Sequence, residues 1–221
     1  MKQLALPLAL LVLTPSTLSA GAENPPPNPQ ELLASRLGIL TYDYVAVPPA
    51  VLAAAENRAV AIFHSVGIDL AWLDCSPANA SGRPTCAESQ LAPRVAINLV
   101  HRLEDYSPWV SRNALGFSIV AGKQENSTIA YVSPERVRVL CIATNSSEGE
   151  VLGLAIAHEI GHLLLEQDGH TLNGLMRASW STRELNEARL HFTPRQAKLL
   201  RAGLAQRLRA FRTEAANPNL R

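Results

Sequence analysis

The sequence predicts an α+β fold in which a mixed β-sheet packs against long helices, and three observations carry that prediction. A strand-like, helix-like, strand-like succession fills residues 39–74. Two short strand-like segments flank the polar stretch AGKQENS at 121–127. Two long apolar-striped segments follow, one ending near Gly169 and one starting at Thr193.

Ahead of these elements, Lys2 and the apolar run LALPLALLVL lead to the small-residue stretches LSA and AGA. This is the pattern of a secretory signal peptide over residues 1–22: the apolar core is too short to span a bilayer, and Pro7 and Pro15 disfavour a buried helix. ENPPPNPQ then makes residues 23–37 a stiff, polar spacer. Residues 38–213 suffice for one domain, with 214–221 expected as a flexible tail.

Within the domain, ILTYDYVAV (39–47) is rich in β-branched and aromatic residues and stops at Pro48-Pro49. AVLAAAENRAVAIFHSV (50–66) reads as a helix before Gly67, and IDLAWLD (68–74) as a second strand. A strand, helix and strand in this order form a parallel βαβ unit with the helix on one face. RVAINLVH (94–101), LGFSIV (115–120) and TIAYVS (128–133) supply further strands, and the polar loop between the last two suits an antiparallel return. Ser147 and Glu150 have capping-box spacing at the head of VLGLAIAHEIGHLLL, and Asp168-Gly169 is the expected end of that helix. The last helix places Leu200, Leu204, Leu208 and Phe211 on one face and arginines on the other.

Charge excludes one class of partner. Once Lys2 is removed, 19 basic side chains balance 19 acidic ones, so no net field draws the domain to nucleic acid or anionic membrane. In an oxidising compartment Cys75 and Cys86 could close a short loop, leaving Cys141 in the apolar context VLCIA. Three reduced, buried cysteines are the alternative, and no CxxC pair suggests a cysteine metal site. His64, His101 and His191 lack ligand spacing, and Trp72 and Trp109 read as core or rim aromatics. Trp180 could line a specificity pocket or pack beneath the site. Asn79, Asn126 and Asn145 stand in glycosylation sequons, which matter only in a eukaryotic host.

The chemistry concentrates in AHEIGHLLLEQDGHTLNGLM, residues 157–176. On a helix His158 and His162 lie one turn apart on one face, so two imidazoles can reach one ion while Glu159 projects beside them. That is the HExxH arrangement, in which zinc acidifies a bound water and the glutamate, not itself a ligand, takes the proton. Two packed helix histidines are the plainer alternative, but the surroundings are too apolar to solvate them. Two ligands do not hold a catalytic zinc well, so a third is required. The candidates are His170, Asp168, Glu166, and Glu184 or Glu187 on a later helix. Glu166 points along the helix rather than around the ion, whereas His170 follows Gly169, where the chain can turn back.

HEIGH, His170-Thr171 and Gly174-Leu175-Met176 together resemble the metzincin zinc endopeptidases, whose three histidines sit above a methionine-bearing turn. Element order extends the resemblance over residues 38–212, although only 158–176 match as a motif. The resemblance implies a zincin-like, twisted, mostly parallel mixed sheet with one antiparallel edge strand, a backing helix, an active-site helix and a C-terminal helix. It also implies that Met176 floors the site and that LGFSIV (115–120) is the edge along which an extended peptide binds. The family pattern HExxHxxGxxH is not matched throughout: Leu165 stands at its glycine and Asp168 at its third histidine. Strict spacing makes Asp168 the third ligand, and a two-residue insertion makes it His170. His170 is favoured as the better zinc ligand and because His170, Thr171 and Met176 then fall in family order; Asp168 is then free to bond a ligand histidine or cap the turn. A gluzincin-like ligand near Asn186-Glu187 would leave the turn at 174–176 unexplained.

The expected protein is therefore a secreted or periplasmic zinc metalloendopeptidase, with Zn2+ on His158, His162 and His170 and Glu159 as catalytic base. Its partner would be a peptide or protein substrate, with no nucleic acid, no stable membrane insertion, and a monomeric domain. Residues 23–37 contain no cysteine, so latency through a cysteine switch is not expected. The alternative is an exported zinc-binding or protein-binding module that keeps the fold without turnover.

Overall fold

Parallel pairing of two strands on either side of β1 organises the domain, which a computed structural model describes over residues 36–76, 86, 93–119, 129–166, 169–187 and 189–216. The expected signal peptide, spacer residues 23–35, Asp168, Asn79 and Asn126 lie outside the described residues. Strands β1 (Leu37–Asp43), β2 (Leu70–Asp74), β3 (Arg94–Leu99), β4 (Gly116–Ile119) and β5 (Ile129–Val132) form one sheet in the order β2-β1-β3-β5-β4. Leu37 pairs with Leu70, Gly38 with Arg94 and Ala96 with Ile129, all in parallel. Among the described strands only β4 runs antiparallel, with Phe117 opposite Tyr131, and it forms one edge. The mixed, mostly parallel sheet and its antiparallel edge strand agree with expectation.

β1 ends earlier than its β-rich sequence suggests. The Asp43 carboxylate accepts from the N–H groups of Val45 and Val47 at 2.9 and 2.8 Å, which turns 44–47 out of the sheet and into the next helix.

Among the described residues five α-helices accompany the strands, α1 (Pro49–His64) between β1 and β2 and, after β5, α2 (Pro134–Thr144), α3 (Glu148–Leu165), α4 (Thr182–Asn186) and α5 (Pro194–Ala216). α1 and α3 pack against each other and against the sheet. Ile39, Val95, Ile97, Leu99, Ala130 and Val132 face them and are essentially inaccessible. Each such Leu, Ile or Val contributes about 1.5–3 kcal/mol by leaving water. Every residue of α3 from Val151 to Leu164 is buried, so any polar side chain on that stretch is desolvated by the fold itself.

Three local expectations are corrected. Ser147 caps α3 without a side-chain hydrogen bond, and the Glu150 carboxylate reaches Arg58 of α1 at 3.2 Å. The left-handed residue that ends α3 is Glu166 (φ 50°, ψ 41°), ahead of the expected Asp168-Gly169. Arg207 of α5 supports that early ending: its Nη2 donates to the Leu163 carbonyl at 2.6 Å, satisfying a helix-end acceptor. Arg207 is itself 3 % exposed, so the arginines of α5 do not all face solvent.

Helix α2 has no counterpart among the expected elements, whereas α4 is the later helix expected to carry Glu184. Each has a readable start, Ser133 before Pro134 and the Ser181/Glu184 capping box. Cys75 and Cys86 form a disulfide and Cys141 is a buried free thiol. Among the described residues no helix is long and apolar enough to cross a membrane.

Candidate metal centre

Helix α3 presents His158 and His162 on the same face, one turn apart, and their Nε2 atoms approach to 3.0 Å. His170 reaches the same point from the segment after α3, its ring centre 5.2 Å from that of His158 and 5.0 Å from that of His162. One ligand atom from each of the three lies within 4.8 Å of the others. Among the described residues this is the group of such side chains that could hold a metal ion.

The tautomer of His158 follows from its surroundings. Its Nδ1 lies 2.9 Å from the Leu175 carbonyl, which can only accept, so Nδ1 carries the proton and Nε2 a lone pair. Trp180 Nε1 donates to the same carbonyl at 3.1 Å, and the Trp180 ring stands edge-on to His158. Burial and the neighbouring His162 push the His158 pKa down to about 3, which keeps the ring neutral and able to bind a cation.

Glu159 lies beside the pair at 5 % exposure. Burial pushes its carboxyl up to about 8, opposed by a hydrogen bond from the Ser118 hydroxyl at 2.7 Å. Ser118 belongs to β4, so the edge strand and the helix meet at this carboxylate.

Residues 171–176 meet the centre through the Leu175 carbonyl. Thr171 N–H donates to the Met176 carbonyl at 2.8 Å, and Leu175 N–H to the His191 carbonyl at 2.8 Å. Gln196, buried at the head of α5, donates to Thr171 Oγ1 and to the Asn173 carbonyl. Met176 is wholly buried directly under α3: a Cβ at Gly161 would lie 2.5 Å from its sulfur. The glycine in HEIGH is thus the residue that admits this methionine.

The chain resembles an archaemetzincin in fold. Its structure superimposes on the crystal structure of archaemetzincin from Methanopyrus kandleri with a TM-score of 0.51 and 17 % identity, covering 77 % of this chain and 97 % of that one. No family model and no curated protein matches the sequence.

Three of the other candidate ligands have partners of their own. Glu184 is engaged by Ser181 and Arg177, Glu187 by Arg183 and Arg189, and Glu166 lies 3.9 Å from Arg207. Asp168 lies outside the described residues.

Two cavities flank the centre. One, of about 420 Å3, is lined by His158, Glu159 and His170 together with Leu115, Leu140, Ala155 and Trp180. The other, of about 330 Å3, is lined by Glu159, His162 and His170 with Phe117, Ser118 and Trp109, the last 92 % exposed. Trp180 both packs on the site and lines a cavity, and Trp109 stands at the rim.

Sequence reasoning missed Ser118, the Leu175 carbonyl and Gln196. A main-chain acceptor leaves no sequence signal, and nothing in LGFSIV marks its serine. Gln196 was legible, since Thr193 and Gln196 have capping-box spacing and exchange reciprocal bonds of 2.8 and 3.2 Å.

Proposed function

We propose that this chain is an exported, zinc-dependent metallopeptidase that hydrolyses bonds within a peptide chain, with His158, His162 and His170 holding the ion and Glu159 as base. The observation that carries this reading is the convergence of three imidazole nitrogens beside one buried carboxylate, in a cleft with a cavity on each side. The likeness of fold to archaemetzincin supports it, as does the resemblance of HEIGH, His170 and Met176 to the metzincin motif. Export is supported by the signal pattern in residues 1–22 and by the Cys75–Cys86 disulfide.

The residues fit zinc. Tetrahedral zinc with nitrogen ligands at 2.0–2.1 Å holds its donors about 3.3 Å apart, against 3.0 Å between the two α3 nitrogens and at most 4.8 Å within the trio. Three histidines with a fourth direction open is the donor set of catalytic rather than structural zinc. Bound there, zinc supplies Lewis acidity, polarising a peptide carbonyl and acidifying water at the open position.

The rest of the chemistry belongs to the chain. Glu159 accepts the proton of the attacking water and passes it to the departing amine nitrogen. The Leu175 carbonyl fixes the orientation of His158, and burial keeps that ring neutral. Ser133 N–H donates to the Leu115 carbonyl, so by antiparallel alternation Leu115, Phe117 and Ile119 turn their main chains toward β5. Gly116 and Ser118 turn theirs to the open edge, where an extended peptide pairs with them. A substrate side chain enters the cavity walled by Leu115, Leu140, Ala155 and Trp180.

The test compares zinc content and cleavage of a denatured protein substrate by wild type and Glu159→Gln. Zinc retained with cleavage lowered about 100-fold or more is the expected result. Equal cleavage by both removes Glu159 from its role. A zinc-loaded wild type that cleaves nothing favours a non-catalytic binding module. The third ligand is settled by zinc affinity, which His170→Ala abolishes and Asp168→Ala preserves if His170 is the ligand.

A further inference from the structure

The Ser118 hydroxyl lies 2.7 Å from Oε2 of Glu159 and 2.9 Å from the main-chain oxygen of the same residue. The one hydroxyl proton is shared between these two acceptors, with the shorter contact to the carboxylate, so one side chain of the edge strand sits between the two ends of one glutamate. A glutamate has three rotatable side-chain bonds, and a contact that ties the far end of the side chain to its own backbone restricts all three. Gly116, two residues earlier on the same face of β4, closes the space beside it: a Cβ there would lie 3.0 Å from Cγ and Oε1 of Glu159. The carboxylate is thus held between strand and helix, with one anchored oxygen.

We infer that Ser118 is a positioning residue for the reaction proposed above, clamping the Glu159 carboxylate in register with a peptide bound along β4. The same two residues whose main chains face the open edge, Gly116 and Ser118, also bound the carboxylate. A peptide paired with that edge and the base that serves its scissile bond are then located by one strand, and both move with it. Orientation of this kind acts on the chemical step rather than on binding, because the hydroxyl touches the base and not the substrate. No bond is made or broken at Ser118, and its own proton stays on Oγ.

This role rests on Glu159 being the base, and the experiment separates the two claims. Zinc-loaded wild type, Ser118→Ala, Ser118→Thr and Ser118→Cys are compared on one peptide, with zinc stoichiometry measured for each. Ser118→Ala is expected to lower kcat about tenfold or more with KM and zinc content unchanged. Ser118→Thr keeps the hydroxyl and recovers most of kcat, whereas the weak S–H donor of Ser118→Cys does not. A readout without turnover is the affinity of a peptidyl hydroxamate, whose hydroxyl proton is taken up by a carboxylate held beside the metal. Ser118→Ala weakens it in the wild-type background and leaves it unchanged in the Glu159→Gln background. A wild-type kcat in Ser118→Ala, or a loss confined to KM, overturns the Ser118 role alone. If Ser118→Ala does not fold, the threonine and cysteine variants decide: equal kcat in both overturns the role. A zinc-loaded wild type without cleavage overturns the peptidase reading and this role with it.

Discussion

Glu159 and His158 are adjacent residues whose charged forms are both disfavoured by burial, and they give the metal-free protein opposite responses to pH. The Glu159 carboxyl is raised to about 8 by burial, so its contribution to stability is complete below its unfolded pKa and is lost as pH rises toward 8. His158 is lowered to about 3 by burial and by His162, so its contribution is complete above its unfolded value near 6.5 and is lost as pH falls toward 3. Between about 4.5 and 6.5 the two slopes oppose each other, and these two contributions cancel. From about 6.5 to 8 only the glutamate slope remains, a loss of about 2 kcal/mol. Denaturant unfolding of chelated protein across this range measures it. Glu159→Gln is expected to remove the alkaline fall and leave the acid one, and an unchanged alkaline fall would show that another group is responsible.

Helix α3 carries the two histidines, the carboxylate and Gly161, and its packing explains why the motif has a glycine in the middle. In an isolated helix Gly161→Ala gains about 1 kcal/mol. In this fold the new methyl would lie 2.5 Å from the Met176 sulfur and 3.2 Å from Phe192, and overpacking of that kind costs about 1–3 kcal/mol. Gly161→Ala should therefore destabilise the wild type. In a Met176→Ala background the 2.5 Å contact is gone and only the milder 3.2 Å contact to Phe192 remains, so the same substitution should cost at least about 1 kcal/mol less than in the wild type. Thermal unfolding of the four proteins reads this difference, and an equal loss in both backgrounds would sink the account. The same scale shows where sequence patterns are informative. Three of the described helices have capping-box spacing at their heads, Ser147/Glu150, Ser181/Glu184 and Thr193/Gln196, yet only the last two make reciprocal bonds. In the first, the Glu150 carboxylate is paired with Arg58, far away in sequence. Periodicity and spacing expose strands, helices and paired histidines because those depend on near neighbours. The Ser118 clamp and the Leu175 acceptor depend on partners 41 and 17 residues away, and the early turn at Glu166 depends on Arg207. No local pattern carries them.

At the scale of the whole molecule, the metal centre joins two parts that are stabilised in different ways. The sheet, α1 and α3 share a continuous apolar core that includes Ile39, Phe63, Ile97, Leu152 and Ile160, and none of it depends on a cation. The segment from Gly169 to Asn173 is largely exposed, and its ties are few: Thr171 to Met176, and Gln196 to Thr171 and Asn173. His170 is the one proposed ligand on that segment. A small zinc-dependent fold loses its structure with its metal because it has no core of its own. Here the core is present, so chelation should loosen the chain only locally. Hydrogen exchange with and without a chelator is expected to show faster exchange over 169–173. The amides of β1, β3 and β5, and Leu175 N–H on the His191 carbonyl, should keep their protection. Loss of protection throughout the sheet would mean that the cation holds the core together. No change at 169–173 would mean that His170 does not tie that segment to the centre, and would turn attention to Asp168 as the third ligand.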